Sequence, residues 1–334
     1  DCPTGVDMAK MKIEARAAWA NRHGTTLREK LIAYMPRYAG VASRVGGLLS
    51  MLEHTPVLGA VAKRALGLAT ERSLPRFKTS FLGRQTDQKP LAATPGREVL
   101  LFVDTFNNYI DTENALAAQQ VLKAAGYTVH LNQRPDERPL CCGRTFLSAG
   151  MVDQAKAEAR RTLDALVPFV KRGVAIVGLE PSCLLTLRDE FLDYGYGEEA
   201  KLLARHAFLF EEFLVLEQKA GRLTLELKAL ETKTAMLHGH CHQKAFDALT
   251  PVQTVLSWIP GLNVSTIESS CCGMAGSFGY EAEHHAASMA MAEMSLLPAI
   301  RNRAAGTVVV ADGTSCRHQI QDGADAQAIH TAVL

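Results

Sequence analysis

Residues 140–150 read LCCGRTFLSAG and residues 269–279 read SSCCGMAGSFG. The two Cys-Cys-Gly triplets, Cys141-Cys142-Gly143 and Cys271-Cys272-Gly273, lie 130 residues apart, and their surroundings repeat with them. Before the first triplet come an apolar strand pattern at 98–103, helix formers at 113–125 closed by Gly126, and a strand pattern at 127–131. After it come a helical pattern at 148–171 and the buried-type strand 174–179, which leads into Cys183. The same order returns around the second triplet: strand 234–237 into Cys241, helix 244–257, strand 263–267, the triplet, helix 283–303, and strand 307–311 leading to Cys316. Cys183 and Cys316 are 133 residues apart, so a short insertion accounts for the difference. A period this long is no solenoid repeat. It predicts an α/β fold of two pseudo-symmetric lobes with parallel-type sheets.

Working outward, the boundaries fall at 96–197 for the first lobe, 234–334 for the second, and 198–233 for a connection between them. Within that connection 198–218 has a helical pattern and 222–228 alternates like a short strand. Residues 1–95 carry helical patterns at 7–19, 27–34, 41–53 and 57–69. Asp7 is a fitting N-cap and Gly24 a stop for the first, Met8, Met11, Ala15 and Ala18 give it an apolar face, and Pro36 should end the second. The Pro-, Thr- and Gln-rich stretch 73–95 predicts a linker over the surface. Met289, Met291 and Met294 read as the core face of a helix.

Composition excludes several classes of function. The chain has 334 residues, with 36 Lys+Arg against 35 Asp+Glu, so no basic excess collects phosphates and nucleic-acid binding is not expected. Aromatic residues make up 6%, too few for a base-stacking platform. The apolar runs are strand-sized, so no membrane span is expected. Residues 1–3 lack a secretory pattern, which fits a cytoplasmic protein, at most peripheral at the inner membrane face.

Eight cysteines remain: Cys2, Cys141, Cys142, Cys183, Cys241, Cys271, Cys272 and Cys316. A chain of this length needs no disulfide staples. Adjacent cysteines sit about 3.8 Å apart at Cα and bridge only through a strained ring, so the pairs read as ligands. Each lobe brings its cysteines to strand ends, where open α/β sheets gather ligands. Cys241, Cys271, Cys272 and Cys316 then offer four thiolates, which fit either zinc or an iron–sulfur cluster. The absence of short Cys-x-x-Cys knuckles favours the larger object. Gly143 and Gly273 would let backbone N–H groups approach its sulfurs. His238, His240 and His242 flank Cys241. Gly239 argues against a continuing strand that would align all three as a zinc nest, and His242 reads as a hydrogen-bond partner of the centre or a cap for the helix near Lys244. His284, His285 and His318 read as solvated helix starts.

Cys2-Pro3 matches the ending of a ferredoxin-type cluster run, so the chain is expected to continue a longer protein in which residues 1–95 follow a truncated ferredoxin-like motif. Together with FVDTFNNY (102–109), GLEPSC (178–183), HGHCHQKA (238–245) and GTSCRHQI (313–320), the triplets make the chain resemble the cysteine-rich CCG domain pair. That pair occurs in the cysteine-rich part of heterodisulfide reductase and in the iron–sulfur subunits of glycolate oxidase and anaerobic glycerol-3-phosphate dehydrogenase. The wording is most similar to the C-terminal part of FAD-linked D-lactate/D-2-hydroxyglutarate-type dehydrogenases. The resemblance implies an iron–sulfur electron-transfer module with a 4Fe–4S cluster at Cys241, Cys271, Cys272 and Cys316. It implies FAD bound in an N-terminal part outside this chain, a flavin dehydrogenase domain as partner, and a quinone or electron carrier as acceptor. A zinc-binding regulatory module or a thiol/disulfide reductase are the alternatives. The heterodisulfide reductase type ends each lobe in Cys-x-x-Cys, whereas here only Cys183 and Cys316 stand at those places, which weakens the reductase reading. In the first lobe Asp104 falls where the second has Cys241. Either Asp104 or Glu180 ligates through oxygen beside Cys141, Cys142 and Cys183, or the first site is degenerate or labile with those three left as free thiols, the favoured reading, or Asp104 merely caps the loop before the helix at Glu113.

Overall fold

The computed structural model describes residues 6–47, 55–85, 96–132 and 138–334. Cys2 and residues 86–95 lie outside the described residues.

Two parallel sheets organise the chain. The first holds β1 (Glu98–Phe102), β2 (Thr128–Leu131), β3 (Ala175–Gly178) and β4 (Ala207–Leu209) in the order β2-β1-β3-β4. The second holds β5 (Thr234–Leu237), β6 (Asn263–Thr266), β7 (Val308–Val310) and β8 (Ala328–Ile329) in the order β6-β5-β7-β8. Identical order and direction make the two lobes the same topology, as the 130-residue offset predicts. The central strands are apolar runs with no polar face. Val99, Leu100, Leu101 and Phe102 of β1 are all essentially inaccessible, because helices cover both faces of a parallel sheet. The helix Val152–Val170 shows how that cover is built. Ala155, Ala159, Leu163, Leu166 and Val170 recur at three- and four-residue steps and are all buried.

Several predicted elements are shorter or differently divided. The pattern at 148–171 is two helices, Arg144–Ser148 and Val152–Val170, with the chain turning at Gly150 (φ +76°). That at 244–257 is likewise split, into Cys241–Ala245 and Leu249–Ser257, at Asp247 (φ +53°). The predicted helix 283–303 divides into His285–Glu293 and Leu296–Arg301. In the connection, the helical pattern at 198–218 is interrupted by β4, flanked by helices Gly197–His206 and Phe210–Lys219. Residues 222–228 form no strand, yet Leu223 and Leu225 pack on the first-lobe core. The methionine face is also corrected. Met291 and Met294 are 39% and 77% exposed, and Ser288 and Ala292 turn inward instead.

The N-terminal segment contributes helices Met8–His23, Leu27–Ala33, Met35–Arg44 and Pro56–Ala65. Asp7 caps the first by accepting from the N–H groups of Ala9 and Lys10, and Gly24 ends it, but Met8 and Met11 are exposed and no residue of that helix is buried. Pro36 does not stop the second helix from outside. It sits in the first turn of the third, where its missing N–H costs nothing. The supposed linker also packs, since Phe81 and Leu82 join the first-lobe core.

Buried polar contacts join the lobes. Glu180 accepts from Thr314 N (2.8 Å), His330 Nε2 donates to Leu179 O (3.1 Å), and Arg317 pairs with Asp111 (2.6 Å). Arg72, from the N-terminal segment, is fully buried against the second lobe, donating to Gly279 O and Ser288 Oγ. Its stem and charge are both enclosed, so its loss would leave several buried acceptors without a donor.

Candidate metal centre

In the second lobe the cysteines sit where the strands deliver them. Cys241 opens the helix after β5, Cys271 and Cys272 follow β6, and Cys316 lies in the first turn of the helix Thr314–Ala324 after β7. Their thiols form a continuous chain of contacts, Cys241 to Cys271, Cys271 to Cys272, and Cys272 to Cys316. Cys272 and Cys316 are buried, Cys271 is partly covered and Cys241 is exposed. Gly273 completes the motif. Its φ of +88° turns the backbone so that its N–H donates to Cys271 Sγ at 3.3 Å, and a Cβ there would meet Ser288 O at 2.2 Å.

The first lobe reproduces this with one thiol fewer. Cys141 contacts Cys142 and Cys142 contacts Cys183, and the N–H of Gly143 (φ +82°) donates to Cys141 Sγ, again at 3.3 Å. All three thiols are buried. The fourth position differs from the sequence expectation by one residue. Leu101 pairs with Val177 as Leu237 pairs with Val310, and Asp104 caps the helix Thr105–Tyr109 as His240 caps the helix Cys241–Ala245. That register sets Asp104 opposite His240 and Thr105 opposite Cys241. Asp104 is a cap, though of the helix at 105 and not of the one at Glu113. Its carboxylate accepts from Phe106 N (2.9 Å), Asn107 N (3.2 Å) and Asn107 Nδ2 (2.6 Å).

Electrostatics separate the lobes further. In the first, contact with its neighbour thiol and burial hold Cys141 well above the usual thiol range. Cys142 is also held high: its contact with Cys141 lowers it, but the Cys183 contact and burial outweigh that. Cys183 is pushed up to about 12, its contact with Cys142 being outweighed by burial and by the charges of Asp104 and Glu180. Asp104 is itself raised to about 7 by burial and by Glu180. The second lobe mixes both states. Cys271 and Cys316 are driven down, each by accepting from a neighbouring thiol, while Cys241 and Cys272 are driven up. The imidazoles of His238 and His240 help to lower Cys316, and the Gly273 N–H helps to lower Cys271. Thiolates are the ligating form, and this lobe offers four such sulfurs where the first offers three.

The histidines divide between two places. His240 Nδ1 accepts from His242 N (3.1 Å), so His240 is the helix cap that the sequence suggested for His242. His242 Nδ1 lies 3.7 Å from Cys241 Sγ, and its Nε2 accepts from Arg144 of the first lobe (3.0 Å). Burial and Arg144 lower His242 to about 3, which keeps it neutral. His238 is separate: it is 1% exposed and groups with Cys272 and Cys316, the three ligand atoms lying within 4.8 Å of one another. His318 is not solvated. It is packed against Tyr280, to whose hydroxyl its Nδ1 is hydrogen-bonded. His284 is half-buried, stacked on Phe278 and paired with Glu281. Arg144 was not singled out from the sequence, although its place directly after the first triplet was a usable signal.

Both thiol groups open on one cavity of about 930 Å³. Cys141, Cys142 and Cys183 line it from the first lobe and Cys241, Cys271 and Cys272 from the second. Leu31, Ile32, Met35, Leu58 and Phe77 of the N-terminal segment close it with apolar surface. The donor set is soft, and it is supplemented by backbone N–H groups. Four sulfur donors gathered from three strand ends, with a backbone N–H on Cys271 Sγ, match the soft donor set of an iron–sulfur cluster, and the same donors suit a tetrahedral zinc ion. The residues present therefore fit a cluster in the second lobe.

Residues 104–188 match the cysteine-rich CCG domain, which covers most of the first lobe. The chain is 24% identical to D-2-hydroxyglutarate dehydrogenase of Escherichia coli K12 over 96% of this chain and 31% of that protein. It is also 24% identical to a subunit of anaerobic glycerol-3-phosphate dehydrogenase from the same organism, over 99% of this chain and 82% of that one. An uncharacterized iron–sulfur protein of Methanococcus maripaludis is 28% identical over 63% of this chain and 38% of that protein. The chain thus carries a CCG cysteine-rich domain and is homologous along its length to dehydrogenase proteins, spanning about a third of the D-2-hydroxyglutarate dehydrogenases it matches. Among the described residues, no helix is long and apolar enough to cross a membrane.

Proposed function

We propose that this chain is the iron–sulfur electron-transfer module of an FAD-linked 2-hydroxyacid dehydrogenase. The observation that carries the reading is the linked set Cys241, Cys271, Cys272 and Cys316, gathered from three strand ends. The first three of these face the cavity shared with Cys141, Cys142 and Cys183. In this reading the four second-lobe thiolates hold a 4Fe–4S cluster. Cys141, Cys142 and Cys183 form a weaker second site, with Asp104 shaping its edge and not ligating. The cluster supplies a one-electron relay between a two-electron flavin and the acceptor. The protein's own part is to hold the thiolates and donate N–H bonds to sulfur. The N-terminal helices line the cavity with apolar side chains. We assign FAD to a partner flavin domain outside this chain, a quinone or a carrier protein as acceptor, and a cytoplasmic location, peripheral at most at the inner membrane face; the likeness to dehydrogenase proteins supports the oxidoreductase context of this reading. Residues 96–197 and 234–334 act as the two lobes, with 1–95 as the cover and 198–233 as the bridge.

A single-ion zinc site is the competing reading, favoured by the compact group of His238, Cys272 and Cys316. Anaerobic purification with metal analysis separates the two. Brown protein with broad charge-transfer absorbance near ~400 nm and about four iron atoms or more per chain is expected. Colourless protein holding one zinc would replace the proposal.

A further inference from the structure

His238 continues the sheet by one residue beyond β5, its N–H bonded to Val310 O at 2.9 Å, so its ring is anchored by the strand and not by a loop. The side chain is buried on all sides. Nδ1 lies 2.9 Å from Ser269 Oγ, just before the second triplet. Nε2 is buried and has no hydrogen-bond partner. An imidazole nitrogen is rarely left so, because an unmade bond on a buried polar atom costs about 1–3 kcal/mol. The polar atoms grouped with this ring are the sulfurs of Cys272 and Cys316.

The tautomer follows from these neighbours. The Ser269 hydroxyl has His238 Nδ1 as its hydrogen-bond partner. Donation from that hydroxyl to Nδ1 places the imidazole proton on Nε2, aimed at the sulfurs. With Cys272 and Cys316 engaged as ligands and carrying no proton, the opposite tautomer would turn a lone pair on Nε2 toward sulfur lone pairs and leave the nitrogen without a donor. We infer that His238 Nε2–H donates a hydrogen bond to sulfur of the second-lobe centre, at Cys316, Cys272 or a bridging sulfide. This makes it a positioning residue that raises the centre's reduction potential by stabilising the more negative, reduced state. The first lobe has no counterpart. The register that sets Asp104 opposite His240 sets Phe102 opposite His238, and Phe102 offers no N–H in its side chain. The two centres would therefore differ in potential even with equal iron.

This inference rests on the iron–sulfur reading, and iron content and potential test the two separately. The full chain, reconstituted anaerobically with iron and sulfide, is compared with His238→Leu and His238→Gln by metal analysis and by redox titration followed by electron paramagnetic resonance. A parent chain that takes up no iron rejects the reading itself. With the parent loaded, His238→Leu should keep its iron and move the second-lobe potential to a more negative value, and His238→Gln, which keeps an N–H at similar reach, should recover most of the shift. Unchanged potential in His238→Leu overturns the inference, and so does loss of iron in both variants, which would make His238 a ligand. Should His238→Leu fail to fold, pulsed resonance on ¹⁵N-histidine-labelled protein decides. A weak nitrogen coupling in the parent that is missing from His238→Gln supports the donor, while equal couplings in the two contradict it.

Discussion

The two lobes share a strand order, a triplet and a glycine whose N–H meets a cysteine sulfur at 3.3 Å in both, yet they prepare their thiols in different ways. In the first lobe three buried thiols are all pushed up, Cys141 and Cys142 by a neighbouring thiol and burial and Cys183 by burial and the carboxylates of Asp104 and Glu180. In the second a fourth thiol joins and the imidazoles of His238 and His240 stand beside Cys316, so the thiols are driven both ways, Cys271 and Cys316 down and Cys241 and Cys272 up. A duplicated scaffold fixes where ligands go. The charge around it decides whether they are ready to bind. The comparison assigns the tighter centre to the second lobe and leaves the first as the labile partner.

The largest change should come from restoring the missing ligand. Thr105 occupies the place of Cys241, so Thr105→Cys should raise iron by up to about four atoms per chain after anaerobic reconstitution. Asp104→Cys should raise it less, because that position is the cap and its side chain points into bonds with Phe106 and Asn107. Equal gains in the two variants would break the register argument.

Next in size is the pH dependence of the first lobe. Asp104 has a folded value of about 7, raised above the unfolded value of about 3.9. Its contribution to stability is therefore fully present below about pH 4 and is lost as pH rises through 7. Asp104→Asn cannot ionise and keeps an oxygen to cap with, so its melting temperature should fall less than the parent's between pH 5 and pH 8, by an amount worth at most about 3 kcal/mol. Thermal melts of metal-free protein across that range check this, and parallel curves would remove the carboxylate from the account.

The smallest effect compares the two glycines. Alanine is strained at either positive φ, but a Cβ at Gly273 would meet Ser288 O at 2.2 Å and one at Gly143 would meet Ala155 O at 2.9 Å. Gly273→Ala should cost more than Gly143→Ala in denaturant unfolding, each within about 1–3 kcal/mol. The reverse order would contradict the tighter packing assigned to the second triplet.

Much of this was legible before any coordinates. The strands β1, β3, β5 and β7 are short apolar runs ending near a ligand or its neighbours, and the cysteine offsets revealed the duplication. Other features needed three dimensions. β4 is only three residues set between two helices, and β8 only two, so neither breaks a helical or loop pattern enough to be seen. Asp104 was matched to Cys241 by position after a strand, and only the pairing of Leu101 with Val177 and of Leu237 with Val310 shows the offset of one. His238 looked like one of three equivalent histidines until its Nε2 proved to be buried without a partner. Met291 and Met294 misled because unbranched apolar side chains are tolerated on a surface as well as in a core.

The most direct test of the difference between the lobes is the iron content of Cys272→Ser and Cys142→Ser, prepared and reconstituted side by side without oxygen. Serine keeps the size of the side chain and removes the soft ligand. Cys272→Ser should lose most of the iron held by the parent, while Cys142→Ser should retain most of it. Equal losses, or the larger loss in Cys142→Ser, would contradict the assignment of the tighter centre to the second lobe.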